Sequence, residues 1–179
     1  MDLSIVRPAD IVAIRGNSLL SHLICDFTGA ISHVGLCTGV LSPTLTGIRV
    51  TQALSCVKTL TLADTIAQAS YAYILHALTL TLAERNAIVA AALAKIGESY
   101  DYTDLAWQAM DKTFNTDWFT SHWASRSSVI CSEFDGRCYE TVGLNFGVPD
   151  RDVTPVDIFD FALQNPAKFQ IITVKSAAG

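Results

Sequence analysis

Three side chains in this sequence could together carry out nucleophilic catalysis: Cys131, His33 and Gln52. Cys131 lies in Ser127-Ser128-Val129-Ile130-Cys131-Ser132-Glu133-Phe134, where an apolar β-type pair meets the first turn of a predicted helix. A thiol at a helix N-terminus feels the positive end of the helix dipole, which lowers its pKa and favours thiolate. His33 opens a predicted strand, Ser32-His33-Val34-Gly35-Leu36, and a histidine there can take the thiol proton. Strand alternation puts Ile48, Val50 and Gln52 on one face of Gly47–Ala53. Ile48 and Val50 are apolar and are expected to face the core where the cysteine helix packs. Gln52 then points to the site, while Arg49 and Thr51 point away. A glutamine carbonyl can accept a histidine Nδ1–H and fix the tautomer. The alternatives are a buried structural thiol, a core histidine with a local partner, and an ordinary strand glutamine.

With these residues in place the chain resembles the circularly permuted branch of the NlpC-type, papain-like cysteine amidases and peptidases. Four segments carry the resemblance, in order: Ala9-Asp10-Ile11-Val12, Ser32-His33-Val34-Gly35, Gly97-Glu98-Ser99-Tyr100-Asp101-Tyr102, and Ile130-Cys131-Ser132-Glu133. In that branch the histidine strands come first and the cysteine helix comes late. The resemblance implies a Cys131, His33, Gln52 triad, with Tyr100 and Asp101 close to the site and contacting substrate. The third position is often glutamate in the family. Glutamine can orient the ring but adds no negative charge to stabilise imidazolium. The backbone N–H of Cys131 is one candidate oxyanion donor.

The elements that must position these residues follow from local pattern. Asp10–Arg15, His33–Val40, Gly47–Ala53, Ser55–Leu62, Tyr71–Leu78 and Phe169–Val174 read as strands bounded by turn residues. Ser42–Gly47 reads as a hairpin-like loop. Asn17–Phe27 reads as a short helix, Asp101–Lys112 as another, and Asn115–Arg126 as a substrate-side loop. Thr81-Leu82-Ala83-Glu84 fits a capping box opening a helix that Gly97 ends. Ser132–Val142 is the cysteine helix, closed by Gly143. Thr154-Pro155-Val156-Asp157 starts a further helix. The expected fold is α+β: a permuted papain-like core with an antiparallel sheet or partial barrel packed against helices, the nucleophile at a helix N-terminus.

Composition narrows the function classes. Half of the 179 residues are apolar and 16% are charged, which suits one compact domain over 1–179. The formal charge of −5 offers no basic footprint for nucleic acid. No apolar run reaches a membrane span, and the N-terminus carries no signal-peptide pattern. A cytoplasmic place is expected, or delivery by a phage particle or lysis system. The five cysteines are odd in number and scattered, which argues against a disulfide framework. Cys25, Cys37, Cys56 and Cys138 read as buried thiols, Cys138 beneath Cys131 on one helix face. His22 and Cys25 form half of a zinc pattern with no second pair, so no metal or other cofactor is expected. His76 reads as a strand histidine with a local partner, and His122 as a surface residue.

The expected activity is thiol hydrolysis of an amide, such as a cell-wall peptide or isopeptide, or of an acyl bond. The substrate is then a peptide, a peptidoglycan fragment or an acyl compound. A lipid acyltransferase or esterase on the same scaffold is the alternative enzyme. A non-enzymatic interaction protein with a degenerate site is the other class.

Overall fold

The structure, a computed structural model, describes residues 2–17, 30–98, 131–149 and 153–175. The chain folds as α+β around a six-stranded antiparallel sheet of order β4-β3-β2-β1-β5-β6. The strands are β1 (Ile11–Gly16), β2 (His33–Val40), β3 (Ile48–Ala53), β4 (Val57–Thr61), β5 (Ala69–Ala77) and β6 (Phe169–Lys175). The helices are α1 (Leu62–Ile66), α2 (Leu82–Ala94), α3 (Cys131–Glu140) and α4 (Pro155–Gln164). None of the helices among the described residues is long and apolar enough to cross a membrane. The helix expected after Asn17, the 101–112 helix and the 115–126 loop lie outside the described residues.

Both faces of the sheet carry buried apolar side chains. Val34, Leu36, Ile11, Ala13 and Leu75 face one core, built against Ile88 of α2, Cys131, Phe134 and Cys138 of α3, and Ile158 of α4. Val12, Ile14, Cys37, Ile48, Val50 and Ile74 face the other, closed by Leu3, Val6 and the α1 residues Leu62 and Ile66. This corrects the expected placement of Ile48 and Val50. They face the core opposite the cysteine helix, and Gln52 follows them by the same alternation, because alternation says which residues share a face and not which face a later helix covers.

Local capping starts the helices as the sequence suggests. Thr81 with Glu84 and Thr154 with Asp157 form reciprocal capping boxes, and Pro155 occupies the first turn of α4. Between β2 and β3, Leu41 N–H donates to the Gly47 carbonyl. A Cβ on Gly47 would lie 2.6 Å from the Ser42 carbonyl oxygen, so the loop closes only around glycine. Helix α1 departs from expectation: Thr61 caps it by accepting from Asp64 N–H, which ends β4 one residue before Leu62.

Immediately before β1, the Asp10 side chain is fully buried. One carboxylate oxygen accepts from Arg85 Nη1 at 2.9 Å and Ala77 N–H at 3.2 Å. The other accepts from His76 Nδ1 at 2.7 Å and Arg7 N–H at 2.8 Å. His76 thus has a partner, though a distant one in the chain where a local one is expected. Arg85 also donates to the carbonyls of Pro8 and Ala77. The knot ties the N-terminal turn, β5 and α2 together.

Removing one partner of a buried ion pair leaves the other charge uncompensated. Asp10→Ala should cost about 3–5 kcal/mol, read from urea midpoints at constant m-value. Removing Glu98, which pairs with Lys95 at the surface, should cost at most about 1 kcal/mol. Equal costs for the two changes would show that Asp10 is not the anchor described.

Candidate functional site

His33 is the first residue of β2 and Gln52 lies near the end of β3, on adjacent strands. The ladder pairs Leu36 with Thr51, so Gly35 lies beside Gln52. A Cβ on Gly35 would come within 2.9 Å of Gln52 Cβ and 3.1 Å of Val50 Cγ1. Glycine at 35 therefore lets the glutamine side chain lie across β2 and reach His33. His33 Nε2 and Gln52 Oε1 are 2.7 Å apart.

The direction of that bond is fixed from its far end. Thr65 on α1 donates its hydroxyl to the Thr61 carbonyl at 2.9 Å. That hydroxyl then accepts from Gln52 Nε2 at 3.0 Å. With the amide nitrogen turned to Thr65, Gln52 presents its carbonyl oxygen to the imidazole. Nε2 must donate, and in the neutral ring Nδ1 keeps the lone pair. The glutamine was expected to engage Nδ1; the structure gives it Nε2, a choice set by ring rotation. Burial holds the imidazole below the ordinary histidine pKa, opposed by the Gln52 bond and the nearby Asp135 charge. The ring is therefore neutral at pH 7 and suited to accept a proton at Nδ1.

Cys131 is buried and is the first residue of α3, one residue earlier than expected, at the positive end of the helix dipole. Its helix is fixed at both ends. Ser132 donates to the Val153 carbonyl at 2.6 Å, and the Tyr139 hydroxyl donates to the Ala9 carbonyl. Ala9 N–H in turn donates to Cys37 of β2 at 2.7 Å. The helix bearing Cys131 and the strand bearing His33 are thus both held to Ala9, with α3 packed on the face of β2 that carries Val34 and Leu36, while His33 and Gln52 stand on the face that carries Cys37 and Val50. Asp135, one turn along α3, lies within electrostatic reach of both Cys131 and His33.

The other thiols differ among themselves. Cys138 packs in the same core as Cys131, and burial first, with Asp135 second, pushes its pKa up to about 12. Burial likewise raises the Cys37 thiol well above its usual value. Cys56 is only partly buried, against expectation, because it stands on the link between β3 and β4. Tyr100, Asp101, His22, Cys25 and His122 lie outside the described residues. A cleft of about 380 Å³ opens beside α3, lined by Gly136, Glu140, Phe146 and Pro149 among others, and none of Cys131, His33 or Gln52 lines it. Thr65 and Asp135 were not singled out from the sequence. The Thr61-Leu62-Ala63-Asp64 capping pattern signals the helix that carries Thr65, and the Cys131 to Asp135 spacing is one helical turn.

No family model matches the chain, and no curated protein matches it. Among solved structures the chain is similar to the crystal structure of metalloprotein yiiX from Escherichia coli O157:H7, at 18% identity and a TM-score of 0.65. The match covers 95% of this chain and 97% of that one, so the shared fold spans nearly the whole of both.

Thr65→Val should leave the Gln52 amide nitrogen without its acceptor, at a cost of about 1–3 kcal/mol. It should also free the amide to turn, so ¹⁵N NMR should find His33 changing from mainly Nε2–H to a mixture of tautomers. Gly35→Ala should do the same by displacing Gln52. A wild-type ring already protonated mainly at Nδ1 would contradict this geometry.

Proposed function

We propose that this protein is a thiol hydrolase of the permuted NlpC-type, papain-like kind, with Cys131 as nucleophile, His33 as base and Gln52 as the group that orients the ring. The observation that carries the reading is the directed chain from the Thr65 hydroxyl through the Gln52 amide to His33 Nε2, which leaves Nδ1 as the basic nitrogen. The four sequence segments of the resemblance support the same reading, as does a cysteine at the head of a helix tied to the histidine strand.

In this mechanism Nδ1 takes the Cys131 proton and Sγ attacks the carbonyl carbon of an amide or ester. The tetrahedral oxyanion collapses, His33 gives its proton to the leaving amine or alcohol, and a thioester to Cys131 remains. His33 then deprotonates water, which attacks the thioester. The acid leaves and the thiol is restored. The uncharged Gln52 positions the imidazole throughout and stabilises imidazolium less than a carboxylate would. The substrate class is a peptide or isopeptide of bacterial cell wall, or an acyl ester. Transfer to an acceptor other than water would use the same thioester.

The solved neighbour is called a metalloprotein. Among the described residues no group of three His, Cys, Asp or Glu side chains could hold a metal ion. No step proposed here passes through a metal.

Initial rates on a panel of cell-wall peptides and short acyl esters test the assignment. His33→Ala should lower turnover roughly 100-fold or more, the scale of a lost general base. Gln52→Ala should cost less, and Gln52→Glu should preserve or raise the rate. Cys131→Ala should abolish both turnover and the acyl-enzyme seen by intact mass. Absence of any rate or acyl-enzyme across the panel would favour an interaction protein on this scaffold.

A further inference from the structure

Asp135 stands four residues after Cys131 on α3, the spacing that puts two side chains on one helix face. It is fully buried, and neither carboxyl oxygen has a hydrogen-bond partner. Among the described residues no other buried side-chain nitrogen or oxygen lacks one. The contrast with Asp10, also fully buried but met by four donors, is direct. A buried polar group left unmatched costs folding free energy, and its persistence calls for an explanation.

Its surroundings supply one. The titratable groups within electrostatic reach of it are Cys131, Cys138 and Tyr139 on its own helix, and His33 and Cys37 on β2, which stand on the far side of the sheet. From α2, Arg85 acts on Tyr139 and Lys95 on Cys138. Burial pushes the Asp135 carboxyl well up, the Cys131 charge pushes it further, and His33 opposes. Burial without a partner moves carboxyls towards the range in which thiols ionise. Two acids in one buried site cannot both ionise cheaply, and their protons leave in two steps that belong to the pair.

We infer that Asp135 is a positioning residue of the Cys131–His33 site that competes with Cys131 for a single negative charge and so restrains the amount of nucleophilic thiolate. The inference rests on Cys131 being the nucleophile. When the pair of acids gives up one proton, it leaves either the Cys131 sulfur or the Asp135 carboxyl. Only the first form attacks. The second proton leaves at higher pH, against the charge already present.

The test is the pH profile of Cys131 alkylation by iodoacetamide, followed by peptide mapping of the full chain in wild type, Asp135→Asn and Asp135→Ala. In the labelling step the sulfur–carbon bond forms as iodide leaves. Wild type should show two steps. Both variants should show one step at lower pH, with labelling below the midpoint about tenfold faster, the effect of one unit. Cys56 serves as the internal control. Its rate should not change, whereas a variant that merely loosened the fold would expose Cys56 and Cys138 as well. Superimposable Cys131 profiles in wild type and variants would overturn the role of Asp135 and leave the nucleophile standing. Cys131 unlabelled at every pH in all three proteins would overturn the nucleophile, and this inference with it. Should neither variant fold by circular dichroism, the wild-type curve decides, since a single step of unit slope excludes the shared charge.

Discussion

The Asp10 carboxylate is the interaction on which the rest of the structure depends. A fully buried charge survives only when paired and saturated with hydrogen bonds. Asp10 meets that demand with Arg85, His76 and two backbone N–H groups, drawn from α2, β5 and the N-terminal turn. The turn it holds contains Ala9, whose backbone sits at φ 69°, a left-handed conformation that costs an alanine about 1–2 kcal/mol. That turn offers its N–H to Cys37 of β2 and its carbonyl to Tyr139 of α3. The residue next to the buried carboxylate thereby bonds both the strand that begins at His33 and the helix that begins at Cys131.

The candidate site is the reverse case. Where Asp10 is satisfied, the proposed catalytic groups are held by uncharged contacts: a threonine hydroxyl, a glutamine amide, then an imidazole. Such a chain gives direction without adding charge. It fixes the tautomer and leaves imidazolium to be stabilised by whatever negative charge lies nearby. Asp135 is the acid within reach, and it is buried without a partner. Sites of chemistry are where folds tolerate unmatched groups and shifted proton affinities.

Much of this was legible from the sequence, for reasons of range. The capping boxes at Thr81 and Thr154 span four residues and need no tertiary context. The strands follow from alternation, and His33 and Gln52 share a face, the one opposite α3. What alternation could not give is which face α3 covers, so Ile48 and Val50 were assigned to the wrong core. The choice of Nε2 over Nδ1 turns on one side-chain rotation, which no residue pattern encodes. Helix α1 was hidden because Val57 to Leu62 reads as unbroken strand, although Thr61 and Asp64 carry its cap. The convergence of His76 and Arg85 on Asp10 crosses most of the first half of the chain, beyond any local rule. Asp135 was visible by spacing alone; its burial depends on how α3 packs.

The most direct test of the account is which cysteine reacts first. Wild-type protein treated at neutral pH with less than one equivalent of iodoacetamide can be digested and mapped by mass spectrometry. The account predicts the adduct at Cys131, although Cys56 is the more exposed of the two thiols. An adduct carried mainly by Cys56, with Cys131 unmodified, would contradict it.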